Sequence, residues 1–247
     1  MATADLITQL KQDFDDVYAA GKSVGGGGGD YDQGYEDGKN SVVNVGRFCR
    51  TITFTNLNIF GTKEVVLNLD NALLLEETFR RSVTNYFGYV PNETVEHITI
   101  NCPNKIISMY YFCAGEYDSI EQKLKHITLN VDTQNAKNWN YAFRYVKSVE
   151  IIDGNPFDFS SATSVTRMFD QCTALKEMRF APNTLKLSIT IPNSPNLSTD
   201  TILSIIDGLA DLTGGTAQTL TLHATVGNKL TDEQKATITA KNWELVY

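Results

Sequence analysis

Histidines, cysteines and paired carboxylates are the side chains of this chain best suited to chemistry, and each type is sparse or poorly spaced for it. His97, His126 and His223 are the only histidines. His97 opens the run HITI and His126 the run HITL, 29 residues later. On neighbouring strands the two rings would stack one above the other on an exposed face. Two imidazoles can begin a metal site, but no third carboxylate or cysteine ligand is evident in the same column. The plainer expectation is decoration of a surface, with no metal. Cys49, Cys102, Cys113 and Cys172 form no CxxC pair and have no histidine beside them at zinc-finger spacing. Four separate, mostly buried thiols are expected.

The adjacent carboxylates Glu76-Glu77 and Asp15-Asp16 do not by themselves create the opposed geometry, roughly 5–9 Å across, that glycosidic chemistry needs. No GxSxG elbow and no HExxH occurs. The glycine run Gly25 to Gly29 lacks the GxxxxGK[ST] pattern and a preceding strand, so it does not read as a phosphate loop. Asp30, Asp32, Glu36 and Asp37 do not follow EF-hand order. The expectation is a protein with no catalytic residues and no cofactor.

The chain has 247 residues, 42% of them hydrophobic and 20% charged, enough for a sizeable core. The 21 basic and 29 acidic side chains give a net charge of -8, which disfavours a nucleic-acid groove or reliance on anionic lipid. No apolar run approaches the ~18 residues of a transmembrane helix. The opening MATADLITQLKQDFDD has no basic leader before an apolar stretch, so no secretory signal is expected.

Three kinds of element would position whatever the chain displays. Ile7, Leu10, Phe14 and Val17 follow helical spacing, with Leu6 and Tyr18 widening the apolar face. This predicts a helix over 5–20, within an N-terminal segment 1–22 serving attachment or oligomerisation. Residues 23–41, rich in Gly and Asp, read as a flexible linker. Beyond residue 42 short strand-like runs alternate with mixed segments: TITF (51–54), EVVLNL (64–69), VEHITI (95–100), LKHITL (124–129), VEIIDG (149–154) and LKEMRF (175–180). The last four start 29, 25 and 26 residues apart, a period in the range of stacked units. Between the runs lie aromatic anchors, Phe79, Phe112, Phe143 and Phe169. Isoleucine and leucine of the ITI and ITL cores should point inward, with Thr99 and Thr128 outward.

Residues 42–186 thus read as a solenoid and 187–247 as its capping unit, an α/β architecture with a parallel sheet. In the cap, Ser198 or Thr199 should start a helix with the apolar face Ile202, Ile205, Ile206, Leu209 and Leu212, ended by Gly214 and Gly215. QTLTLH (218–223) and WELVY (243–247) read as strands, and Thr231 with Gln234 as a capping box. Tyr110, Tyr111, Tyr117, Trp139, Tyr141 and Tyr145 crowd the middle of the chain. Aromatic side chains anchor interfaces and stack on sugars, and Tyr110, Trp139 and Tyr141 are the candidate binding cluster.

The stretch VTRMFDQCTALKEMRF (165–180), with Met168, Phe169, Cys172, Leu175 and Met178 at its motif positions, resembles the leucine-rich-repeat-like proteins of the BspA type. The match is weaker at SMYYFCAGEYDSI and at NWNYAFRYVKSVEII. The closing stretch and the glycine tether are similar to the form of that group found in phage and prophage tail-associated proteins of Gram-positive hosts. This resemblance implies a leucine-rich-repeat-like solenoid in a non-enzymatic virion structural protein of a tail or baseplate. Such a protein would bind other virion proteins, or itself through the N-terminal helix, and a host-surface glycan or protein. The alternatives are a bacterial cell-surface adhesion module and a host polysaccharide-degrading enzyme.

Overall fold

The computed structural model describes residues 40–45, 63–69, 96–114 and 123–247. The expected helix with Ile7, Leu10, Phe14 and Val17, most of the linker 23–41, the TITF run, Phe79, Cys49, the carboxylates Asp15-Asp16 and Glu76-Glu77, and Tyr117 lie outside them. Five parallel strands are described first: β1 (Asn40–Val45), β2 (Glu64–Leu69), β3 (His97–Lys105), β4 (His126–Asp132) and β5 (Ile151–Gly154). They form one sheet in chain order. Then come β6 (Ile189–Ile191), α1 (Thr199–Gly208), β7 (Gln218–Leu222), α2 (Ala224–Gly227), α3 (Asp232–Ala240) and β8 (Trp243–Val246). Strands β6, β7 and β8 make a second parallel sheet.

This arrangement corrects the expected architecture. A leucine-rich-repeat-like solenoid would carry one continuous curved sheet. The strands instead fall into two separate flat sheets with three short helices among the described residues. The likeness to BspA-type leucine-rich-repeat proteins fails with it. The break has an identifiable cause. LKEMRF, expected as the next strand, makes only the isolated bridges Ile151↔Glu177 and Phe157↔Phe180. The backbone amides of Met178 and Phe180 donate to side chains, Thr201 Oγ1 at 3.2 Å and Ser204 Oγ at 2.9 Å. Both hydroxyls come from α1, so a helix occupies the edge to which a further strand would add.

Within the first sheet the period-two alternation is regular. Ile98, Ile100 and Cys102 of β3, Ile127, Leu129 and Val131 of β4 and Ile152 of β5 are buried. Thr99 and Thr128 point to the other face. Beneath the strands lie Phe112, Trp139, Phe143, Phe157, Phe159 and Phe169, all essentially without exposure. Phe143 stacks on Phe169 at 5.6 Å and meets Phe112 edge-on at the same distance. Cys113 and Cys172 are buried free thiols, and Cys102 is buried as well. Burial pushes the Cys113 thiol up to about 12 and raises that of Cys172 as well, so both stay protonated and unreactive. Gly154 closes β5 at φ +94°; a Cβ there would stand 2.4 Å from the Leu129 carbonyl oxygen, so no other residue fits.

The C-terminal elements follow their sequence signals closely. Ser198 caps α1 by accepting from the Thr201 amide. Thr231 and Gln234 form the reciprocal capping box of α3. Helix α1 stops at Gly208, short of the expected glycine pair, because Leu209 turns extended and bridges to Leu185. Gly208 is itself pressed on Phe180, with a Cβ there only 2.6 Å from the Phe180 Cβ. Lys241, distant in sequence, donates to the carbonyls of Ile206 at 2.9 Å and Leu209 at 2.8 Å, supplying the charge that the last turn of α1 lacks.

Candidate binding face

Each strand of the first sheet is followed by a tight segment, and these segments run side by side. Ser108, Asn138 and Ser164 are joined by parallel bridges. From there, Tyr111 N–H donates to Asn140 O at 3.0 Å and Tyr141 N–H to Thr166 O at 2.9 Å. That register puts Tyr111, Tyr141 and Arg167 in one column. The same ladder puts Tyr145 in a column with Gln171, its amide donating to the Asp170 carbonyl at 2.8 Å.

The columns share an unusual backbone. Tyr111 (φ 51°), Tyr141 (φ 60°), Tyr145 (φ 60°), Arg167 (φ 51°) and Gln171 (φ 62°) are all left-handed. For a residue with a Cβ this conformation costs roughly 1–2 kcal/mol. Elsewhere the chain meets the same demand with asparagine, at Asn183 and Asn242, the residue that tolerates it best after glycine. Three tyrosines at such positions mean that the ring is kept in spite of its backbone.

The rings form a connected group. Tyr111 and Tyr141 stack at 4.6 Å, Tyr110 meets Tyr111 edge-on at 4.7 Å, and Tyr110 lies 6.5 Å from Tyr141. The Arg144 guanidinium stands 4.4 Å over the Tyr145 ring and 5.3 Å over Tyr141. It is anchored by Asp170, Nε to Oδ2 at 3.4 Å, and donates to the Tyr145 hydroxyl at 3.1 Å. All five side chains are half-buried, so their bodies pack while part of each reaches solvent.

The sequence-predicted cluster divides here. Tyr110 and Tyr141 share this face. Trp139 does not: it is 0% exposed, its indole N–H donates to Ala136 O at 3.1 Å, and its ring packs on Phe157 and Phe159. Trp139 stands two residues before the surface position Tyr141, and its neighbours in register are Met109 and Val165, both buried. Tyr111, Arg144 and Tyr145 join this face from outside the cluster that the sequence predicts. The signal that finds Tyr111 is the alignment of SMYYF with NWNYAF from the serine and asparagine that start the two segments, which sets it opposite Tyr141; no such local signal marks Arg144 or Tyr145.

No family model, curated protein or solved structure matches this chain. The reading of the face therefore rests on its own geometry. The sheet's open side carries a second polar group. His97 and His126 are in register and stack at 4.1 Å with planes 5° apart. His97 Nε2 lies 2.9 Å from Thr128 Oγ1, and His126 Nε2 lies 2.9 Å from Asp153 Oδ2. Asp153 is thus a carboxylate near the column that sequence reading did not find, because it sits two residues further along β5 than the histidine positions. Parallel rings at this spacing direct their nitrogens side by side rather than converging on one ion, and no cluster of three metal-ligating side chains occurs among the described residues. No helix among the described residues is long and apolar enough to cross a membrane.

Proposed function

We propose that this chain is a non-enzymatic structural protein that presents the Tyr110, Tyr111, Tyr141, Tyr145 and Arg144 face to a partner. The single observation that carries this reading is the retention of three tyrosines on left-handed backbone. Strain of this kind persists where the surroundings enforce it and where the side chain has a use. Tyrosine and arginine are also the residue types most enriched at interface centres. The rings and the guanidinium are already fixed against one another, so docking would freeze few rotors, which favours affinity.

The setting proposed for it is a phage tail or baseplate, with segment 1–22 joining copies or attaching to other virion proteins. Multiple copies would then multiply weak contacts. Two measurements test the reading. Purified particles are searched for the protein by mass spectrometry, and binding of the full chain to host cells is compared with that of Tyr141→Ala and Tyr111→Ala. The reading expects the protein in the particle and at least a tenfold loss of binding in each variant. Absence from particles removes the virion setting. Undiminished binding by both variants removes the face. Light scattering after deletion of residues 1–29 tests the joining role, which an unchanged mass would sink. A hydrolysis screen on host cell-wall sugars addresses the enzyme reading, with no turnover expected.

A further inference from the structure

The open face of the first sheet is built in rows. Glu64, His97 and His126 occupy one row across β2, β3 and β4; Thr99, Thr128 and Asp153 occupy the next across β3, β4 and β5. Hydrogen bonds run diagonally between the rows, from His97 to Thr128 and from His126 to Asp153. Thr99 and Thr128 also lie 3.4 Å from the Nε2 of the histidine on their own strand. Each ring nitrogen that points along the sheet thus serves the next strand.

The charges available to this column are unequal. From β2, Glu64 stands in register with His97. From β4, the ring of His126 covers His97. From β5, Asp153 faces His126, while Ile151, in register with His126, offers no charge. At the strand entrances Lys63 is paired with Glu96 and Lys125 with Glu150. A proton on His126 meets a carboxylate 2.9 Å away. A proton on His97 meets an imidazole 4.1 Å away.

We propose that the His97–His126 stack with Asp153 is a proton-sensitive clasp across β3, β4 and β5: it tolerates one charge and loosens when the second proton binds. With both rings charged, two cations would lie face to face 4.1 Å apart in a half-buried site, with Asp153 in contact with His126 and Glu64 in register beside His97. The His97 acidity agrees in direction. Burial first, and His126 second, hold it below the ordinary 6.5, against the opposite pull of Glu64 and Asp153. A depressed histidine means that the unfolded chain binds the proton more readily, so stability is present above 6.5 and is lost as pH falls through the folded value. Asp153 titrates in a separate window. Burial raises its pKa, hydrogen bonds from Thr128 and His126 outweigh that, and it stays below 3.8.

The test combines a proton NMR titration of the three histidines with urea unfolding between pH 8 and about 5. Wild type, His97→Gln and Asp153→Asn are compared. For wild type the unfolding constant should rise as pH falls, by up to about tenfold per pH unit for one linked proton. His97→Gln should lose at least half of that slope. Asp153→Asn should begin its loss at higher pH. Within wild type, the His97 resonance should move in two steps, because charge on the ring stacked 4.1 Å away is felt there. An unchanged slope in His97→Gln, or two independent single-step titrations, would overturn the clasp. The titration in wild type decides the matter even if a variant does not fold.

Discussion

Tyr141 carries two opposing demands at one position. Its φ of 60° suits glycine, while its ring stacks on Tyr111 and lies under Arg144. Tyr141→Gly relieves the first and removes the second. The substitution should change the urea midpoint little, because recovered backbone strain of roughly 1–2 kcal/mol offsets the lost ring packing, yet it should abolish partner binding. A variant that unfolds easily would show instead that the ring is a structural anchor. Trp139 makes the contrasting case one layer inward. Its complete burial predicts that Trp139→Ala costs about 3–5 kcal/mol, measured by the same unfolding experiment, whether or not a partner is present. Sequence could place these two aromatics in one cluster, but it could not separate them. Both lie within NWNYAF two residues apart, where plain alternation would put them on one side; the left-handed turn at Tyr141 breaks that alternation, and it is set by the neighbouring segments.

The elements show what was legible and what was not. Caps and alternation are local signals, so Thr231, the inward isoleucines and a cap at Ser198 or Thr199 are readable directly, and the structure takes Ser198. The asparagine column was readable as well, but was missed. Asn44, Asn68, Asn101 and Asn130 are in register across β1 to β4, and each stands at the fifth residue of its strand. Asn130 donates its amide to Asn101, and Asn101 to Asn68, both at 2.8 Å. After Gly154 the chain turns, and Asn155 gives its amide to the Val131 carbonyl instead, at 3.2 Å. The end of the first sheet was not legible, because it depends on hydroxyls 23 and 24 residues downstream. Thr201 is 2% exposed; its Oγ1 accepts from Met178 N–H and donates to Lys176 O at 2.9 Å. Thr201→Val keeps the shape and orphans a buried amide, which should cost about 1–3 kcal/mol. Thr201→Ser keeps the hydroxyl and should recover most of that loss. If Thr201→Val is as stable as wild type in urea, the hydroxyls of α1 are not what closes the sheet.

Two separate sheets could mean two folding units, but the packing argues for one. The buried apolar cluster runs without interruption from Ile98 in β3 to Trp243 in β8. Phe180 is its hinge-point in space: it touches Phe157, Phe159 and Phe169 beneath the first sheet and lies against Gly208 at the end of α1. Lys241, just before β8, ties itself to the carbonyls at the end of α1, so the second sheet is also fixed to the helix that caps the first. Shared burial of this extent makes partial unfolding expensive, since releasing either sheet exposes the aromatic layer of the other. The chain holds two tryptophans, one for each sheet: Trp139 lies under the first, and Trp243 sits in β8 with its indole N–H on Ala210 O at 2.9 Å. Trp243→Phe leaves a fluorescence signal from the first sheet alone, and Trp139→Phe one from the second. In each variant the urea transition followed by fluorescence should coincide with that followed by far-ultraviolet circular dichroism, as a single cooperative unit requires. A fluorescence midpoint displaced from the circular dichroism midpoint within either variant would mean that the sheets unfold separately and that the Phe180 contact does not couple them.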